Sequence, residues 1–324
     1  FKAVVPVCSV GNYQAYLGAA CCMCEVVPGA LRFTEEWGVL GLTAPRALMV
    51  ISATRDAFQF SVGEARKSLA RTRPIYRLFD QPGNVRHAVF ESTHDYNAPM
   101  REAMYGWMTR HLKGEGDGAP IKEPAMKLED PEVLRCYPGE SRPDDWLTLP
   151  QFAAREGRKQ IEFGHSPGAA DFWRQKAGSL RKLLDEKLLG GTTPKPSPVR
   201  VESAGEFQPE PGIRLRSQPD SAKAARHPGR VILLSLEGAG AIKVHPLAES
   251  LRQNGHRVQT FSLRATAEHA YARDQIKRAP DHNTAEWSLW LGRPLLGQWV
   301  TDVRAFLDAR PTDGPTTLIG IGPA

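Results

Sequence analysis

Apolar and polar positions alternate along the 324 residues with two different periods. Residues 3–8 read as a strand, and 46–52 (Arg-Ala-Leu-Met-Val-Ile-Ser) as a second, too continuously apolar for a sheet with one face in water. Residues 75–79 and 85–91 supply further strand material, while 62–73 and 99–113 carry the helical period, the latter stopped by Gly114. Strands alternating with helices predict an α/β unit over 1–115, built on a parallel sheet covered on both faces.

The pattern then changes. Residues 116–196 open on Gly116-Asp117-Gly118-Ala119-Pro120 and close on a Gly-, Thr- and Pro-rich run ending at Pro196. Between them the convincing helix is 169–189, with apolar Phe172, Leu180, Leu183, Leu184 and Leu188; 158–163 reads as a weak, charged strand. This stretch is a connector. A second α/β unit follows over 197–324. Residues 199–207 and 212–217 alternate like a hairpin, 231–236 and 257–263 read as strands, 246–254 and 296–309 as helices, and 316–321 as a last strand.

Composition narrows the classes. Apolar residues make up 41%, enough for a core. Forty-two basic against 36 acidic residues leave a net charge of +6, with no basic run interleaved with aromatics, so nucleic acid is not an expected partner. No apolar run reaches the roughly 20 residues of a membrane span. The chain opens inside its first strand and closes straight after its last, so it reads as a segment of a longer protein, and its lack of a leader pattern is silent on compartment. Of five cysteines, Cys8, Cys21, Cys22, Cys24 and Cys136, one C-x-x-C spacing emerges without a second ligand pair. Small buried thiols near a pocket are the expectation, ahead of a disulfide or a metal site.

Two loops carry titratable groups just past buried strands, where open α/β sheets place their chemistry. Asp56 follows the strand at 46–52, in Ser-Ala-Thr-Arg-Asp; His94 follows the strand at 85–91, in Ser-Thr-His-Asp-Tyr. An acid and then a histidine on successive strand ends is the second half of a Ser…Asp…His order. A serine hydroxyl attacks only when an imidazole takes its proton, and the imidazolium so formed needs a carboxylate. Asp56 and His94 are therefore the candidate catalytic residues. His87 within a strand and His111 on a helix are assigned to structure. Asp95 is a weaker rival acid, because an immediate neighbour cannot easily turn back onto the same imidazole.

Those runs carry a resemblance. Phe1 to Cys8, Ala44-Pro45-Arg46-Ala47-Leu48, Thr54-Arg55-Asp56 and Thr93-His94-Asp95-Tyr96-Asn97 resemble the C-terminal half of a bacterial α/β-hydrolase of the acetyl xylan esterase and dienelactone-hydrolase-like group, more distantly related to prolyl oligopeptidases. The resemblance implies a serine esterase without a cofactor, acting on a small ester or an acetylated polysaccharide such as xylan; a peptidase would use the same triad. It implies a nucleophile one helix before Phe1, so that this segment alone is inactive, and it suggests secretion or export to the periplasm.

Gly164-His165-Ser166-Pro167-Gly168 matches a G-x-S-x-G elbow literally, yet it is refused. Serine would follow histidine in the order, and Pro167 has no N–H for the oxyanion hole. The second unit resembles the N-terminal half of a degenerate tandem hydrolase domain. At its elbow, Gly322 stands for the nucleophile and Pro323 for the oxyanion donor. Strands 3–8 and 317–321 either pair in one permuted sheet or belong to two separate incomplete sheets.

Two rivals remain. Glu237-Gly238-Ala239-Gly240 follows a strand like a dinucleotide fingerprint, but Lys243 replaces the third glycine, and Arg264 stands where an acid should end the next strand. A non-catalytic binding module would use Trp287, Trp290 and Trp299 for sugar stacking; core packing is the plainer reading of them.

Overall fold

The computed structural model describes residues 1–18, 26–162, 170–191, 205–218, 226–272 and 281–322. Strand β1 (Ala3–Val4) is followed by helices α1 (Tyr13–Gly18) and α2 (Glu36–Gly41), strand β2 (Ala47–Ala53), helix α3 (Val62–Leu78), strand β3 (Val85–Phe90) and helix α4 (Ala98–Met108). The three strands form one parallel sheet in the order β1-β2-β3.

Every residue of β2 is buried, which its unbroken apolar sequence requires. Its two faces alternate. Met49, Ile51 and Ala53 pack with Met100, Ala103 and Trp107 of α4, whereas Leu48 and Val50 pack with Ala65, Leu69 and Tyr76 of α3. Each fully buried side chain of this size contributes about 1.5–3 kcal/mol.

Two expectations here need correction. The strand at 3–8 is regular only over Ala3–Val4; beyond it the chain still tracks β2, through an Ile51 N–H donated to Pro6 and a Cys8 N–H donated to Ile51, at 3.0 and 2.9 Å. Residues 75–79 are not strand: α3 runs through Pro74 to Leu78. Proline removes one helical hydrogen bond and costs about 3 kcal/mol, but Ala70, whose carbonyl is freed, is exposed to water. Tyr76, two residues on, is fully buried and donates its hydroxyl to the Arg46 carbonyl at 3.0 Å, which holds the helix on the sheet. After α4 a π turn over Thr109–Lys113 leads to Gly114, whose φ of 78° suits glycine.

The middle stretch is more helical than its pattern suggests. Helix α5 (Leu149–Glu162) stands where a connector with a weak strand at 158–163 was expected. A capping box explains it: the Thr148 hydroxyl accepts from the Gln151 N–H, and the Gln151 side chain accepts from the Thr148 N–H at 2.8 Å. Helix α6 (Ala170–Leu183) continues into a π turn over Leu184–Leu188. The Gly164–Gly168 decoy, Ser166 included, lies outside the described residues.

Strands β4 (Glu206–Glu210) and β5 (Ile213–Arg216) form an antiparallel hairpin; its first strand lies at 206–210 rather than 199–207, and residues 199–204 lie outside the described residues. Strand β6 (Arg230–Ser235), helices α7 (Gly238–Lys243) and α8 (Pro246–Gln253), strand β7 (Val258–Thr260), helices α9 (His282–Trp290) and α10 (Leu295–Ala309) and strand β8 (Thr316–Ile321) complete the chain. A second parallel sheet runs β7-β6-β8. Ile232 faces Phe207, Phe261 and Phe306, while Val231 and Leu233 face Ile242, Ala248 and Val258, so β6 too is covered on both sides.

Among the described residues β1 pairs with β2 and β8 with β6, so the two parallel sheets are separate and not one permuted sheet. They are joined by packed side chains and a backbone hydrogen bond. Trp290 of α9 is fully buried against Tyr13 and Tyr16 of α1, with ring centroids 4.5 and 5.7 Å apart, and the Gly29 N–H donates to the Leu289 carbonyl at 2.7 Å. Among the described residues no helix is long and apolar enough to cross a membrane.

Candidate active site

The site grows out of the ends of β2 and β3. Parallel pairing continues past both strands: the Thr54 N–H donates to the Phe90 carbonyl at 3.0 Å, and the Arg55 N–H to Ser92 at 2.9 Å. Glu91 clamps the same two residues, accepting from the Thr54 hydroxyl at 2.7 Å and pairing with the Arg55 guanidinium. The two loops are thereby locked in register, and Asp56 and His94 face each other across them. His94 Nδ1 lies 2.9 Å from Asp56 Oδ1 and 3.0 Å from Oδ2. The carboxylate side chain is 1% exposed, the imidazole 63%.

The base of the loop after His94 is held from below. Asn97 caps α4 through a bond accepted from the Met100 N–H, and its amide donates to Ser92 Oγ at 3.1 Å. Asp95, the rival acid, turns its carboxylate to the Tyr96 N–H at 2.7 Å. Phe60, from the turn after Asp56, lies 5.7 Å from the His94 ring and belongs to the aromatic cluster that Trp290 enters.

The strand-end rule that selects Asp56 and His94 also selects Cys8, which the sequence reads as a small buried thiol near a pocket but not as part of this centre. Cys8 follows β1 on the neighbouring strand position, is 4% exposed, and has φ of 52°, a left-handed conformation uncommon for a non-glycine residue. Its sulfur donates to the Asp95 carbonyl at 3.4 Å. Burial pushes the thiol pKa up; the Asp95 hydrogen bond opposes this and the Asp56 carboxylate adds to it. A thiol kept protonated in this way is a poor nucleophile. Cys8, Asp56 and His94 each place one ligand-type atom within 4.8 Å of the others'. A cavity of about 470 Å³ opens here, lined by Val5, Val7, Cys8, His94, Asp95 and Tyr96.

The loop from Cys8 to α1 is tied down by three carboxylates. Glu36 accepts from the Gly11 N–H at 3.1 Å, Glu64 from the Asn12 amide, and Glu35 from the Tyr13 N–H. Gly11 has to be glycine, since a Cβ there would stand 1.7 Å from the Gln59 carbonyl oxygen.

The remaining candidates fall outside this centre. His87 bonds Ser52 Oγ at 3.0 Å, and burial, followed by Arg66 and Arg73, lowers its pKa to about 4. His111 packs on Trp107, and burial lowers its pKa as well. Cys136 is exposed rather than buried, and it and Cys8 are free thiols; Cys21, Cys22 and Cys24 lie outside the described residues. Arg264, at the acid position of the dinucleotide fingerprint, is buried on Asp302 with Nε 2.9 Å from Oδ1, a structural pair. Trp299 donates its indole N–H to the Arg264 carbonyl at 2.8 Å, and Trp287 packs on Tyr271. Gly322 follows β8, and Pro323 lies outside the described residues.

No family model matches the chain, and no curated protein matches it. Among solved structures it is similar to a carbohydrate esterase family 15 (CE15) glucuronoyl esterase from Caldicellulosiruptor kristjansonii, at 12% identity over 40% of this chain and 42% of that one, with a TM-score of 0.30. It is also similar to methylesterase BT1017, at 17% identity over 38% of this chain and 28% of that one, with a TM-score of 0.29. The chain spans less than half the length of either.

Proposed function

We propose that this chain carries the acid and base of a serine-type α/β-hydrolase site that cleaves carboxylic esters. The observation that supports it is the Asp56–His94 pair: a buried carboxylate holding one edge of an exposed imidazole, on the ends of adjacent parallel strands. With the Nδ1–H fixed on Asp56, Nε2 is the proton acceptor. It takes the proton of the attacking hydroxyl, returns it to the leaving alcohol, and repeats both moves with water to release the acid. Asp56 sets the tautomer and stabilises the transient imidazolium.

In this reading the nucleophile is a serine in a segment preceding Phe1, as the family resemblance implies; among the described residues no serine hydroxyl bonds His94. The substrate is an acetyl ester on a carbohydrate such as xylan, for which the resemblance and an open cavity beside His94 speak. Residues 197–324 are then a degenerate tandem hydrolase half, with 116–196 as connector, in an exported protein.

The test uses p-nitrophenyl acetate. The 324-residue chain gives no His94-dependent turnover, whereas the longer parent protein hydrolyses the ester and loses several orders of magnitude on His94→Ala, because triad members act as a unit. Equal turnover by the parent and its His94→Ala variant contradicts the reading.

A further inference from the structure

We infer that Cys8, Asp56 and His94 form a three-ligand site for a borderline-soft divalent cation such as Zn²⁺ or Co²⁺, with its fourth position open to the adjoining cavity. The three side chains come from the ends of three successive parallel strands, and one sulfur, one carboxylate oxygen and one ring nitrogen lie within 4.8 Å of one another. A tetrahedral ion with bonds of about 2.0–2.3 Å spaces its ligands roughly 3.5 Å apart, so the longest separation closes by only about an ångström while the hydrogen-bonded Asp56–His94 pair, at 2.9 Å, opens by about half that. The exposed His94 ring can make that movement, while Cys8 and Asp56 are buried and already aimed.

Two further observations point to a ligand. Cys8 holds a positive φ at the end of a strand, a strained setting that recurs where a side chain is aimed for a purpose. Cys8 and His94 also both line the cavity of about 470 Å³, which supplies an entry path and room for a water or substrate oxygen on the ion. The donor set of one thiolate, one imidazole and one carboxylate favours zinc or cobalt over the hard cations magnesium and calcium. Binding is balanced by one proton: the Cys8 S–H bond breaks, the thiolate joins the metal, and the proton goes to solvent. The ion also takes up the carboxylate and ring that otherwise bond each other, so a chain loaded with metal has no free acid–base pair.

The site needs neither a nucleophile nor a substrate, so its test is independent of the hydrolase reading. The whole chain is titrated with Co²⁺ and followed by absorption. One equivalent with a thiolate-to-cobalt charge-transfer band and the visible bands of a four-coordinate ion is expected, displaced by Zn²⁺. Cys8→Ser removes the charge-transfer band of that equivalent, and His94→Ala and Asp56→Asn weaken or remove it. Because Cys21, Cys22, Cys24 and Cys136 also offer sulfur, the reading is taken by difference: each of the Cys8 and His94 variants lowers bound cobalt by one equivalent relative to the unaltered chain, with circular dichroism unchanged. Bound cobalt and band intensity that are unchanged in both variants overturn the proposal, as does an unaltered chain that gives no band. Should Cys8→Ser unfold the chain, His94→Ala, on an exposed loop, decides alone.

Discussion

Asp56 meets His94 Nδ1 with both carboxylate oxygens, at 2.9 and 3.0 Å, and does so from a buried position while the ring it holds stays exposed. On the proposed hydrolase reading that asymmetry divides the work: the carboxylate orients and the imidazole exchanges protons. Asp56→Asn keeps the shape, but its amide N–H₂ can turn to the ring and stabilise the wrong tautomer. If the proposed reading holds, kcat for ester hydrolysis by the complete hydrolase falls by about 10⁴, the size of this substitution's effect in other triads. A loss of less than tenfold would assign the acid role elsewhere.

His87 gives a pH signature of stability. Its pKa is lowered from 6.5 to about 4, first by burial and then by Arg66 and Arg73. The unfolded chain therefore binds the proton more readily across this window, and stability falls as pH drops from about 6.5 to about 4, with the full contribution present above it. Thermal midpoints of His87→Gln fall less steeply over that window than those of the unaltered protein; parallel slopes would contradict the assignment.

The Arg264–Asp302 pair tests whether this buried charge is structural. Burial pushes the Asp302 carboxyl up, against the pull of the Arg264 guanidinium. Arg264→Met leaves the Asp302 charge buried with the backbone N–H of residue 264 but no guanidinium, and costs about 3–5 kcal/mol, whereas Arg264→Met with Asp302→Leu costs less than either single change. Urea unfolding of the three variants reads this directly. Additive losses would mean that the pair is not coupled.

Much of this was legible in the sequence, for physical reasons. A strand buried on both faces must be apolar at every position, and the run that became Ala47–Ala53 shows it. The second strand of the hairpin was plain because the alternation of Ile213-Arg214-Leu215-Arg216 has a period that no helix shares. Helix α3 past Pro74 was not legible, since the anchor that outweighs the proline is a tertiary bond from Tyr76 to Arg46. Helix α5 has its signal in the sequence, the Thr148–Gln151 capping box, which outweighs the Pro- and Gly-rich surroundings. Asp56, His94 and Cys8 all stand just past strands, a local signal, but that Cys8 lies beside the other two depends on which strands neighbour each other.

Trp290 ties residues near the candidate site to the second sheet. Trp290→Ala removes a fully buried indole from between Tyr13, Tyr16 and Phe60 and costs about 3–5 kcal/mol. Denaturant unfolding then separates into two transitions, one for each parallel sheet. A single transition with an unchanged midpoint would show that the contact carries no stability.

The most direct test of the central claim is covalent labelling of the parent protein with a fluorophosphonate, which reacts with a serine only when a triad base activates it. Intact-mass analysis and peptide mapping are predicted to find one label, on a serine N-terminal to Phe1, that is lost in His94→Ala. A label on a serine within these 324 residues, or labelling that survives His94→Ala undiminished, would contradict the account.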